Sequence, residues 1–199
     1  MAVVNDRISH ARHRVEATAG PAFASWISEQ PDESLKGFGF LSRAEAKLAR
    51  VLTPLPYVTP RRARLTRKQI EGGLDQPPAT WIVPVSVNSR VVCLVTVEDA
   101  NGKTRAVEYG KAWAANRLDA GIRALGSPPP ERWSELRFVS FASPNVDLLL
   151  FRNTDSRWSW WRLEGTESAT TTRFTPHDID MLLENIRRTP KEDPLSHQP

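Results

Sequence analysis

Apolar positions near the amino end recur every three or four residues: Ile8, Ala11, Val15 and Ala19 share one face, Gly20-Pro21 interrupts it, and Phe23, Trp26 and Ile27 resume it. This spacing predicts two short helices. After the loop QPDESLKGFGF, Ser42 and Glu45 stand at capping-box spacing and open a further helix, with Leu48, Val51 and Leu52 turned inward until Pro54 ends it. From Thr53 to Pro78 the chain is rich in proline and arginine and closes with EGGLDQPP, the composition of a connection.

The period then changes to two. WIVPVSVN and RVVCLVTVED are β-branched runs separated by little more than Asn88-Ser89, and the Asn-Gly of ANGK turns the chain into TRAVEY, so three antiparallel strands follow one another. Pro84 donates nothing to a ladder, which places its strand at an edge or puts a bulge at that position. Gly110 to Gly126 reads as a helix with Ala114, Leu118, Ile122 and Leu125 on one stripe and Trp113 beside it, expected to cover the sheet. LRFVSFAS, VDLLLFRN, RWSWWRL and ATTTRF supply four more strands, and Thr175-Pro176 caps a last helix with Ile179, Leu182, Leu183 and Ile186 inward. The expected architecture is α+β: a curved antiparallel sheet of about six or seven strands packed by helices, with an N-terminal helical arm. Its parts are an arm over 1–53, a Pro/Arg-rich connection over 54–79, an α+β domain over 80–189 and a tail over 190–199. The two strand groups, each followed by a helix, leave room for a distant duplication.

Three of the seven tryptophans fall within four positions, in DSRWSWWRLEG. A turn at Thr154-Asp155 sets Phe151 opposite Trp158, Leu149 opposite Trp160 and Asp147 opposite Arg162 on one face, with Val146, Leu148, Leu150, Trp161 and Leu163 on the other. That register also brings Arg152 against Arg157. Both faces are apolar, so either the amino-terminal arm covers Trp158 and Trp160, or Phe151, Trp158, Trp160 and Arg162 form an exposed interface. Large aromatics are usually core, while tryptophan interleaved with arginine is also the composition of binding hot spots. Trp161 is core on both readings.

Charge adds a second surface. The chain has 199 residues, a net charge of +4 and 40% apolar residues, enough for one sizeable core and against wholesale disorder. Sixteen prolines against ten glycines imply many stiff connections. Much of the surplus charge sits in TPRRARLTRKQ, where Arg61, Arg62, Arg64, Arg67 and Lys68 fall within eight positions. Such a run can grip phosphates, but it holds no aromatic and lies in no helix-turn-helix, zinc-finger or RNA-binding signature. A solvated linker face is the plainer account; docking on an acidic protein through arginine forks ranks next.

Candidate chemistry is sparse. His10 and His13 lie three apart on a helix with only Asp6 and Glu16 nearby, and an exposed helix face accounts for them better than a metal site. The single cysteine, Cys93, lies inside VVCLV and reads as a small buried hydrophobe. His177, Asp178 and Asp180 open the last helix, where acids complement the dipole. KGFGF and EGG lack the context of a phosphate loop, and Glu98 and Asp99 suit a turn. No metal, cofactor or catalytic set is expected. One cysteine permits no intramolecular disulfide, and no run has the length of a membrane span. MAVVNDRISHARHRV is not a signal peptide; this tilts the expected compartment toward the cytoplasm, and a mature secreted chain without its leader would look the same. The reading is a non-catalytic module binding another macromolecule, first a protein through the tryptophan-rich face. The alternatives are a nucleic-acid-associated protein using the basic run, and an enzyme or small-ligand binder whose site is not visible in sequence.

Overall fold

A computed structural model describes residues 2–60, 66–126, 130–141, 146–153, 155, 157–164 and 170–188. Arg61, Arg62, Arg64, the turn residue Thr154 and the tail lie outside the described residues.

The elements in chain order are α1 (Ala2–Glu29), α2 (Arg43–Lys47), β1 (Arg50–Val51), β2 (Leu55–Val58), α3 (Arg67–Gly73), β3 (Thr80–Val87), β4 (Arg90–Ala100), β5 (Lys103–Gly110), α4 (Ala112–Ala124), β6 (Leu136–Phe141), β7 (Val146–Arg152), β8 (Trp158–Glu164), β9 (Thr170–Phe174) and α5 (Pro176–Arg188). The fold is α+β, with one curved, open, largely antiparallel sheet in the order β5-β4-β3-β2-β6-β7-β8-β9 and with β1 also on β3.

The strands from the two β-branched runs and TRAVEY form as expected. Asn88 and Ser89 both take positive φ, as do Asn101 and Gly102, so two tight turns set the β3-β4-β5 meander. Pro84, however, lies in an interior strand. Its carbonyl accepts from Leu52 N at 2.8 Å on the side where the chain passes from β1 to β2, and its ring nitrogen points the same way, toward that break. The ladder to β4 thus loses no donor at Pro84, and the irregularity falls one step on, between Val85 and Ser86.

Three expectations change. The first helix is continuous through Pro21 rather than two short helices. Its stripe keeps one register on both sides of the proline, and burial of Ile8, Val15, Phe23 and Ile27, at about 1.5–3 kcal/mol each, outweighs the ~3 kcal/mol that an interior proline costs. The helix begun by Ser42, whose side chain does accept from Glu45 N, stops at Lys47; Leu48 is exposed and Val51 belongs to β1. Residues 54–79 carry β2 and α3. β2 pairs antiparallel with β3 and parallel with β6, so the sheet has nine strands and this four-residue segment joins its halves.

Alternation then assigns the faces. α4 crosses one face and touches both halves, packing on Ile82 and Leu94 from one and on Phe138, Leu149 and Leu163 from the other. The opposite face is divided. α1 covers Trp81, Val83, Val85, Cys93, Val95 and Val97, while α3 and α5 cover Val139, Leu148, Leu150 and Trp160.

Candidate functional site

The tryptophan hairpin forms, one residue out of the expected register. Arg152 opposes Trp158, Leu150 opposes Trp160, Leu149 opposes Trp161 and Leu148 opposes Arg162. Asn153 N bonds to Arg157 O at 2.8 Å, so the loop is one residue longer than a two-residue turn. A shift of one changes which residues share a face. Trp158, Trp160 and Arg162 therefore lie with Leu148 and Leu150, and Phe151 lies on the α4 face with Trp161. The four residues expected as one interface are split between two faces. Arg152 meets Trp158 and not Arg157, and Asp147, expected opposite Arg162, instead meets Arg117 of α4 at 3.3 Å and Ser140 at 2.7 Å.

The cover over Trp160 is not the amino-terminal arm. α3 and α5 bury it to 1% exposure, and its indole N–H donates to Glu71 of α3 at 3.2 Å. Trp161, expected in the core, packs half-buried against the core on the α4 face. Arg67 and Lys68 open α3, which Thr66 caps by accepting from Gln69 N. Arg67 faces Glu71 at 3.8 Å, so one carboxylate links the basic end of the connection to the tryptophan face; Lys68 is exposed.

Between the α1 cover and the α3-α5 cover runs a seam of arginine and tryptophan. One row across the ladders contains Trp81, paired with Pro56 of β2, and then Arg137, Leu150 and Trp160. Arg12 of α1 stacks over Trp81 at 5.8 Å and donates to Pro54 O at 3.3 Å. Arg137 is buried, donates to the carbonyls of Leu74 and Leu136 at 2.9 and 2.8 Å, and lies over the Trp158 ring at 5.3 Å. Arg152 lies over the same ring at 5.4 Å and is bridged to Asp75 at 3.0 Å. Burial and the neighbouring Arg12 push Arg137 down to about 10; Asp75 opposes and Arg152 adds to this. Burial likewise lowers Arg12, against the attraction of Glu16. Arg152 Nε and Trp81 Nε1 are buried without a hydrogen-bond partner among the described residues. Trp158 itself is only half-buried.

Sequence reasoning marked Trp158, Trp160, Arg67 and Lys68 but not Arg12, Arg137 or Arg152. The one available signal was Arg137 in the largely apolar strand LRFVSF, where a charge at a core position implies a partner.

The remaining candidates take structural places. His10 and His13 are exposed on α1, with His13 3.5 Å from Glu16. Cys93 is fully buried, and its thiol is pushed up to about 12 by desolvation, an inert setting. Gly39 of KGFGF has φ 96°, and a Cβ there would overlap the Val92 carbonyl, so close packing accounts for that glycine. Glu71, Gly72 and Gly73 are helical. Glu98 pairs with Arg105 at 2.8 Å, and Asp99 holds Arg14 at 2.6 Å, tying α1 to the β4-β5 hairpin. Asp178 is lowered by hydrogen bonds from Thr175, whose hydroxyl accepts from Asp178 N in return; His177 is exposed. Among the described residues, no group of three or more His, Cys, Asp or Glu side chains is placed to hold a metal. No helix among them is long and apolar enough to cross a membrane. No family model, curated protein or solved structure matches the chain.

Proposed function

We propose that the chain is a non-catalytic module that binds an acidic protein segment along the rim of the arginine-tryptophan seam. The observation that carries this reading is the half-buried Trp158 ring with the guanidiniums of Arg137 and Arg152 both stacked on it. Arg137 is buried and committed to backbone carbonyls, so it fixes the ring from below; the part-exposed Arg152 guanidinium, held on the ring, loses little freedom on meeting a carboxylate, and the rigid indole beside it buries area at low entropic cost. Lys68 is exposed at the start of α3, the helix whose Glu71 holds the Trp160 indole, and offers a further positive charge on that helix. Trp160 serves as its floor, not as a contact.

The test places a photo-crosslinking residue at position 158 and, as a control, at His10 on the outer side of α1, and exposes both to lysate of the native host. An adduct specific to position 158, lost in Lys68→Glu at unchanged melting temperature, is the expected result. Equal capture at both positions, or capture indifferent to Lys68→Glu, would sink the reading. Recovery of nucleic acid instead of protein, with affinity falling steeply as salt rises, would replace it with the phosphate-clamp alternative.

A further inference from the structure

On the α4 face, away from the seam, the hairpin turn of β3 and β4 meets the carboxyl-terminal half of α4, the chain around β1 and the turn that precedes β6. They enclose a cleft of about 630 Å³, within the range of sites that take small organic ligands. Its inner wall is apolar, made by Leu52, Val91, Ile122 and Trp133. At its mouth stands Leu48, 69% exposed, an apolar side chain that the short α2 leaves outside the core.

The polar groups are not arranged for acid-base chemistry. Asp119 is buried, and both its oxygens are engaged: Oδ1 accepts from Val91 N at 2.8 Å and Oδ2 meets Arg123. Arg123 remains largely exposed beyond that contact, and Arg50 has no ion pair among the described residues. Two guanidiniums against one committed carboxylate leave the cleft one positive charge in excess. Among the described residues, neither histidine nor cysteine lines it. The rim is preformed, because Asn88 and Ser89 hold positive φ of 49° and 63° in the hairpin turn, and Ser86 faces the same space.

We propose that this cleft binds one monocarboxylate with an apolar body, of the medium-chain fatty-acid type, with its carboxylate at Arg50 and Arg123 and its tail on Leu52, Ile122 and Trp133. A single anionic head matches the single excess charge, and guanidinium forks favour a carboxylate geometrically. A tail leaving through the mouth would also cover Leu48.

Calorimetry with decanoate, decanol and decyltrimethylammonium on the full chain tests it. Decanoate should bind at one site per chain, at least tenfold more tightly than decanol, and the cationic amphiphile should not bind. Arg50→Glu should weaken decanoate at least tenfold and Leu48→Glu severalfold. Both changes are at exposed side chains, and an unchanged melting temperature checks that the fold is kept. Lys103→Glu on the far edge strand should leave binding as it was. No binding of decanoate below its micellar concentration would overturn the proposal. So would equal affinity for decanol, indifference to Arg50→Glu, or preference for a peptide carboxyl terminus over decanoate.

Discussion

The two halves of the face shared by α1, α3 and α5 are built on different principles. Under α1, the buried row is Trp81, Val83, Val85, Val87, Cys93, Val95 and Val97, all apolar. Under α3 and α5 the row includes Trp160 and Val139 but also buried Arg137, with Arg152 and Trp158 beside it. The first half is joined by tight turns at Asn88-Ser89 and Asn101-Gly102 whose backbone needs no help from elsewhere. In the second half the tryptophan hairpin has a longer loop, and its register is held by distant partners, Trp160 to Glu71 and Asp147 to Arg117. A dry half can be specified locally. A half that buries cations must borrow acceptors from other elements, as Arg137 borrows the Leu74 carbonyl from the end of α3.

The largest effect that separates the halves lies within the tryptophan pair. Trp160→Ala should destabilise the fold by about 3–5 kcal/mol, because it empties a core position and removes the indole hydrogen bond to Glu71. Trp158→Ala should cost only about 1–2 kcal/mol, the scale of its guanidinium stacking. Equal losses in urea denaturation would mean that the rim and the floor of the seam are not distinct.

Alkaline pH should move the halves in opposite directions. In the dry half, Cys93 keeps its proton up to about 12 when folded, while the unfolded thiol releases it near its ordinary value of 9.0, so stability falls as pH rises through that window. In the charged half, Arg137 gives up its proton near 10 when folded and only well above that when unfolded, so its own contribution rises from about pH 10 upward. Denaturation midpoints between pH 8 and 11 should therefore fall less steeply in Cys93→Ala than in the wild type, by an amount on the order of a few kcal/mol. An identical slope would place the thiol in water.

The smallest of these effects concerns α5, the cover over the charged half. Thr175→Ala removes its cap and should cost about 1 kcal/mol, with hydrogen exchange quickening first in the opening turn of α5. Uniform exchange across the sheet would show instead that α5 and the sheet open together.

The sequence was most readable where structure is local. Alternation in β3, β4 and β5, the stripe of α4 and the Thr175 cap all rest on neighbours within a few residues. It misled where distant packing outvoted local preference. Pro21 lies inside a helix because the stripe on both sides of it is buried. β2 is a central strand although Pro54 and Pro56 mark it as a connection, because four residues between two partners need little propensity of their own. The tryptophan register failed by one residue, and with it the grouping of Phe151 with Trp158 and Trp160. Of the seam, the aromatic half was visible; the arginines were not, since Arg12, Arg137 and Arg152 meet only when α1, β6 and β7 are brought together.

The amino-acid sequence by itself determined the α+β class, the order of the seven strands from Thr80 onward and the helices α4 and α5 among them, because hydrophobic period and turn chemistry act over short spans. Tertiary structure alone decided which face each tryptophan took, which helix covered it, and that Arg50 and Arg123 share a cleft. Those outcomes depend on loop length, on the parallel pairing of β2 with β6, and on burial of charge across elements, and each of these is a property of the assembled chain rather than of any window along it.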